Sequence, residues 1–182
     1  MRPLSGHADE RRLQRFFEAN PEYFLTINGI PPRPDEAHEE MQAMPPPDWP
    51  LGAKWVLGLE DAHGELVAMA DVLQDLFAPG IWHVGLFIVA TSMHGRGQGA
   101  AIYASLEDWM RSEGASYVRL GVVIGNVRAE RFWERMGYLD VRRRNGVDTG
   151  GRVNDLRVMV KPLAGGSIAE YLAQVARDRP ET

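Results

Sequence analysis

Cysteine is absent from this 182-residue chain, so disulfides, thiolate metal sites and cysteine nucleophiles are excluded. Long apolar runs are absent too: none approaches the roughly 20 residues that a membrane-spanning helix requires. The stretch from Met1 to Glu10 has no apolar core ahead of a small-residue cleavage site, so a signal peptide is not indicated. No membrane partner and a cytoplasmic location are the expectations. An excess of positive charge is also missing. The formal net charge is −5, whereas general affinity for nucleic acid comes from clustered Lys and Arg that neutralise phosphates. A nucleic-acid partner is therefore not expected. There is no internal repeat.

What is present fits one ordinary α/β or α+β domain. Hydrophobic residues make up 45% and charged residues 25% of the chain, near the averages of globular proteins. Leu13, Phe16 and Phe17 stand at helical spacing between Asp9 and Ala19, and Asn20-Pro21 ends that helix. A proline-framed stretch follows, with Pro31-Pro32-Arg33-Pro34 and Pro45-Pro46-Pro47 around a short candidate helix from Asp35 to Met44. It reads as a substrate-side lid or as a stiff surface loop. From Lys54 the pattern turns to β. Segments from Trp55 to Leu59, Glu65 to Phe77 and Ile81 to Ala90, separated by turns, predict three antiparallel strands. The third is apolar at nearly every position, as in a strand covered on both faces.

Gln98 to Glu113 predicts a helix that buries Ile102, Leu106, Trp109 and Met110, with Gly114 as a left-handed cap. A strand from Tyr117 to Ile124 comes next. Asn126 can cap a helix whose inner face is Ala129, Phe132, Trp133 and Met136, ended by Gly137. Tyr138 to Arg144 and Asp155 to Val160 close the sheet. The tail after Pro162 carries Ile168, Tyr171, Leu172 and Val175 at helical spacing, for a packing helix or a homodimer contact.

The segment Val89-Ala-Thr-Ser-Met-His-Gly-Arg-Gly-Gln-Gly-Ala100 joins the buried strand to a helix. A helix start presents unpaired N–H groups and the positive end of its dipole, and glycines let an anion approach closely. Gly95, Gly97 and Gly99 therefore form a phosphate cradle. A Walker-type loop would need a lysine beside the second glycine, and none lies near. A dinucleotide-binding fold would put the loop after its first strand, with an acidic residue about 20 positions on. Here an antiparallel meander precedes the loop, and Tyr117 to Gly125 holds no Asp or Glu.

The segment instead resembles motif A of the GNAT superfamily of N-acetyltransferases, Arg/Gln-x-x-Gly-x-Gly/Ala, carried as His94-Gly-Arg-Gly97-Gln-Gly99. Upstream, Leu86-Phe-Ile-Val89 is placed like the family's bulged fourth strand. Downstream, Asn126-Val-Arg-Ala129-Glu-Arg-Phe132-Trp-Glu-Arg-Met-Gly137-Tyr138 looks like Asn-x-x-Ala-x-x-Phe-Tyr-x-x-x-Gly-Phe/Tyr. The clear match covers residues 54–145, about half the chain. The resemblance implies a GNAT-like α/β fold, a mixed, mostly antiparallel sheet with splayed central strands flanked by helices. It implies one acyltransferase domain over residues 1–162, with a helical substrate-side segment at 1–50 and a CoA-binding core at 54–145, followed by a tail at 163–182.

It further implies acetyl-CoA as co-substrate, no metal, and acetyl transfer to a primary amine of a small molecule by direct attack in a ternary complex. The other readings are a protein N-terminal or lysine acetyltransferase and a non-catalytic acyl-CoA-binding sensor. Backbone groups at Ile88 and Val89 would pair with the pantetheine arm as with a strand. His94, Gly95, Arg96, Gly97, Gln98 and Gly99 would hold the pyrophosphate, and Asn126, Ala129 and Phe132 would line the far side of the arm. The basic cluster Arg142-Arg143-Arg144 is read as a solvated strand end or as a contact to an acidic group such as the 3′-phosphate of CoA. His94 stands where Arg or Gln is usual. Trp133 stands where many members have a tyrosine that protonates the departing thiolate, and an indole is donor-only and does not titrate. The acid would then be water or a hydroxyl such as Tyr138 or Tyr103.

Acetyl transfer needs a neutral amine, so the site needs a proton acceptor. His83, six positions before Val89, stands where histone-acetylating members carry a glutamate base, and imidazole titrates in the useful range. If the turn at Ala78-Pro79-Gly80 pairs Phe77 with Ile81, Asp75 lies across from His83 and Asp71 across from Phe87. Asp71, Asp75 and ordered water are the other candidate bases.

Overall fold

The computed structural model describes residues 1–180 and shows seven strands, ordered β1-β2-β3-β4-β5-β7-β6 in one sheet. The strands are β1 (Arg2–Pro3), β2 (Ala53–Glu60), β3 (Leu66–Gln74), β4 (Ile81–Val89), β5 (Tyr117–Val123), β6 (Leu139–Asp148) and β7 (Val153–Pro162). The helices are α1 (Gly6–Ala19), α2 (Glu22–Ile27), α3 (Glu36–Gln42), α4 (Gln98–Ser112), α5 (Val127–Arg135) and α6 (Ile168–Gln174). The α/β architecture anticipated from sequence, one mostly antiparallel sheet flanked by helices, is thus observed. The two-residue β1 and the one-and-a-half-turn α2 carry too little periodicity to be seen in sequence.

Alternation along the strands divides the core by face. One face packs Leu57, Val72, Val84 and Leu120 under Tyr103, Leu106 and Met110 of α4 and Trp133 of α5. The opposite face is covered in two halves. Leu13, Phe16 and Phe17 of α1 pack over Met69, Leu86 and Ile88, and Tyr171 of α6 packs with Ile81, Tyr117, Val158 and Val160. Leu13 and Phe17 are fully buried, contributing about 1.5–3 kcal/mol each by area removed from water. Ser167 caps α6 with a reciprocal box to Glu170, which explains why this short tail helix is formed.

Two irregularities position the site. The turn after β3 is longer than the sequence suggests: Asp75 and Phe77 take left-handed φ of 53° and 76°, and Gly80 N–H donates to Asp75 Oδ1 at 2.6 Å. The expected register is therefore corrected. Leu73, not Asp75, pairs with His83, and after a bulge Asp71 pairs with Leu86 and Ala70 with Phe87. Asp75 is drawn into the turn because its side chain ties that turn together.

The second irregularity is the parting of β4 and β5. Among the described residues they are the only parallel neighbours in the sheet, and they pair from Ile81 to Val84 and from Tyr117 to Leu120. Beyond that rung β4 follows β3, because of its bulge at Gly85, while β5 stays on β7 as far as Val123. A wedge opens between them. Its far end is bridged on the α1 face, where Asn154 Nδ2 donates to Ile27 O at 2.9 Å and Thr149 Oγ1 to the same carbonyl at 3.3 Å.

Candidate active site

The wedge is a cleft of about 540 Å³ lined by Phe87, Ile88 and Val89 of β4, by Gly95, Gly97 and Gly99, and by Asn126, Ala129 and Phe132 of α5. His94 also lines it, so the structure brings nine of the sequence-derived cofactor residues to one cavity. Arg96 and Gln98 are exposed and are not among its lining residues. The cradle is set by backbone conformation. Gly95 and Gly97 have φ of 78° and 73°, and a Cβ at either would meet nothing within 4 Å. Left-handed backbone, not crowding, is what requires glycine there. Gly97 is the N-cap of α4, with its carbonyl taken by the Ala100 and Ala101 N–H groups. Among the described residues, no hydrogen bond takes up the N–H groups from Gly95 to Gly99. Those free donors, aimed from a helix start, fit a pyrophosphate.

His94 contributes differently from an Arg. Its Nε2 donates to Val89 O at 2.8 Å, fastening the loop to the end of β4. Asn126 Oδ1 accepts from Ala129 N–H at 3.2 Å, so its capping role is realised while it lines the cleft. Sequence reasoning missed the opposite wall. Asn20, Glu22, Tyr23 and Thr26 from α1 and α2 line it, and Arg128 adds a cation beside Asn126. Asn20 Oδ1 accepts from Thr91 N–H at 2.7 Å, coupling the end of α1 to the loop. No local pattern announces such a tertiary contact.

Trp133 is a wall of the cleft, only 8% exposed, with its ring against Phe87, Tyr103, Phe132 and Tyr138. Tyr138 lies behind it. The Tyr138 hydroxyl is buried against that of Tyr103, and burial holds its pKa well above the ordinary value. Neither tyrosine lines the cleft, so the structure separates Tyr138 from the position an acid would need.

His83 is likewise not among the lining residues. Its Nδ1 is 3.1 Å from Arg119 O and 3.2 Å from Arg119 Nη1. Burial, reinforced by the Arg119 charge, pushes its pKa down to about 3. An imidazole so strongly kept neutral is a poor proton acceptor at neutral pH. Asp71 and Glu40 are not among the lining residues either; Asp71 sits elsewhere on the same face as His83, with Lys54 Nζ 3.5 Å from its Oδ2. Lys54 also donates to Glu40 O at 2.5 Å and Ala43 O at 2.7 Å. Glu40 and Asp71 face each other, and Glu40 Oε1 and Asp71 Oδ1 are buried without a hydrogen-bond partner. Burial, with the Asp71 charge added, raises Glu40 to about 8. Burial raises Asp71 too, against the Lys54 charge. Asp71 Oδ2 lies 3.2 Å from where a Cβ of Gly85 would be, and Gly85 is exposed at the bulge where the wedge begins.

The Acetyltransferase (GNAT) family matches the chain over residues 13–138. Among solved structures, an acetyltransferase from Thermus thermophilus is 21% identical with a TM-score of 0.66, covering 88% of this chain and 95% of that one. A spermidine N-acetyltransferase from Vibrio cholerae, in complex with CoA and spermine, is 17% identical with a TM-score of 0.66, covering 88% and 93%. The ribosomal-protein-S18-alanine N-acetyltransferase from Escherichia coli is 16% identical with a TM-score of 0.60, covering 90% and 93%. These likenesses show a shared fold. No curated protein sequence matches the chain. With the family's pattern running from Leu13 to Tyr138, through the glycine loop, the parted strands and α5, the chain belongs to the GNAT family of acetyltransferases.

Proposed function

We propose that the protein transfers an acetyl group from acetyl-CoA to a primary amine by direct attack in a ternary complex. The observation that carries this reading is the cleft between β4 and β5, whose closed end is the last paired rung and whose open end is the glycine cradle. Acetyl-CoA supplies the activated acetyl group. The N–H groups from Gly95 to Gly99 bind its pyrophosphate, the free edge of β4 at Ile88 and Val89 orients the arm, and Phe132 and Trp133 exclude water beside it.

The acceptor arrives as an ammonium and must lose a proton. The Asp71–Glu40 pair is the proton acceptor in this reading, taking the place of His83. It stands beside the bulge at Gly85, and Glu40 titrates near neutrality. An amine held at Asp71 Oδ2 passes a proton to the pair and becomes neutral. Asp75 has no part in this, since its carboxylate is held in the turn. Similarly folded enzymes are named for small amines and for a protein alanine, so the fold does not choose between acceptors. The bridge from Ile27 to Asn154 over the wedge favours a slender one.

Free-thiol release from acetyl-CoA across a panel of amines tests the proposal. Turnover with at least one small amine is expected. Tight acetyl-CoA binding with no turnover on any small amine, peptide N-terminus or lysine would replace it with a non-catalytic acyl-CoA-binding module.

A further inference from the structure

On the face opposite α4 and α5, three arginines converge on one carboxylate. Arg119 donates from Nε and Nη2 to Asp178 at 2.6 and 3.1 Å. Arg144 Nη2 stands 3.6 Å from Asp178 Oδ1. Arg177 lies with its guanidinium 3.8 Å from the Trp49 ring centroid and 4.6 Å from that of Phe77. Asp178 is fully buried and also accepts the Tyr171 hydroxyl at 2.6 Å. Arg142, whose Nη1 donates to Arg177 O, adds a fourth guanidinium with partners of its own. Among the described residues, Arg119 and Arg144 share the Asp178 carboxylate. Among the described residues, Nε of Arg144 and Nε of Arg177 are buried with no hydrogen-bond partner. A guanidinium cannot relieve that situation by losing its proton at ordinary pH, and a donor taken from water without a partner is costly. Burial and the neighbouring arginine charges lower the pKa of both groups.

Strand register shows where this charge stands relative to the acceptor. Arg119 pairs with His83, one rung short of the last pair, Val84 with Leu120. Two residues on, and on the same face, come Gly121 and, across the opening, Gly85, both exposed although they belong to central strands. Leu156, the partner of Arg144, is the side chain nearest to a Cβ at Gly121, at 3.7 Å. Two bare glycines therefore floor the space between the arginines and the Asp71–Glu40 pair. Asp71 is level with Leu86 and Arg119 with His83, two strands apart, so their Cα atoms lie roughly 12–14 Å apart at the usual strand spacing and rise. The two ends of this floor carry opposite charge.

We infer that Arg144 and Arg177 bind an acid group of the acceptor, so that the preferred substrate is an amine carrying a carboxylate or similar anion several bonds from its nitrogen. This rests on the acetyl-transfer reading above and narrows its substrate class. Arg119 and Asp178 hold the site in place, and the stacking of Arg177 on Trp49 orients it.

The test is a length series from glycine to 6-aminohexanoate, each compared with the alkylamine of the same chain length, with thiol release from acetyl-CoA as readout. At one length the acid-bearing amine is expected to exceed its partner in kcat/KM by about tenfold or more, the factor for a charged hydrogen bond. Arg144→Gln should then raise KM for that acceptor by about tenfold, leaving kcat, acetyl-CoA affinity and the KM of the alkylamine unchanged. Equal use of the paired acceptors by the wild type, or an equal change in both KM values in the variant, overturns the inference. If Arg144→Gln lowers the thermal midpoint, the wild type decides. Butyrate, which has the acid but no amine, should inhibit competitively with the acceptor and not with acetyl-CoA, and no inhibition overturns the site. If no acceptor gives thiol release, the acetyl-transfer reading fails separately. A thermal shift of the wild type by 4-aminobutyrate, lost in Arg144→Gln, then still supports the anion site, and its absence overturns it.

Discussion

The two sides of the wedge are built by different means. The side we assign to the cofactor is made of backbone: the free edge of β4, the left-handed glycines at 95 and 97 and the first turn of α4, all within one stretch of chain. The side we propose for the acceptor is made of side chains from distant segments, with Glu40 from α3, Lys54 from β2, Asp71 from β3, Arg119 from β5 and Asp178 from the tail. A backbone site tolerates change in side chain as long as φ and ψ are kept. A side-chain site depends on each charge having its partners.

Damage to the acceptor side should cost the most activity. Asp71→Asn removes the carboxylate at Gly85 and is expected to lower kcat by about 10²-fold or more, the usual span for loss of a general base. Steady-state thiol release measures it, and acetyl-CoA binding should stay unchanged, which separates the two sides. On the cofactor side, Gly97→Val places a β-branched residue at φ 73°. The strain of about 1–2 kcal/mol should weaken acetyl-CoA binding by roughly tenfold in titration calorimetry. A dissociation constant equal to that of the wild type would show that the loop is not the cradle.

Proton affinity separates the two sides further. Glu40 is raised to about 8, so the pair gains its second negative charge only as pH rises through that value. The kcat/KM of the wild type should climb over that range, and Glu40→Gln should remove this part of the climb. The same shift has a stability counterpart. Because the folded state favours the protonated form, no penalty is present below about 4.5, and it grows as pH rises to about 8. Glu40→Gln should therefore raise the thermal midpoint more at pH 9 than at pH 4. His83→Gln is expected to matter least, changing kcat by less than about tenfold, well short of the loss of a base.

The glycine loop was legible because its requirements are local: a buried strand, φ values open to glycine and a helix start, in that order. The GNAT resemblance added the second segment from Asn126 to Tyr138, and the structure brings both to one cavity. The register beside His83 was not legible. It depended on left-handed φ at Asp75 and Phe77, residues that rarely adopt it, and on a bulge at Gly85. The turn's length moved Asp75 away from His83, and the bulge set Asp71 beside Gly85. Trp133 and Tyr138 were correctly placed on α5 and at the strand that follows it, but only packing put one in the cleft wall and the other behind it.

The order of elements, the left-handed glycine loop at a helix start and the family are all written in the chain itself, because each follows from spacing within a few turns or strands. Which titratable groups share the acceptor face is a matter of folding alone. Charges brought together from α3, β3, β5 and the tail alter one another's proton affinity through burial and distance, and neither quantity is encoded in the spacing of residues.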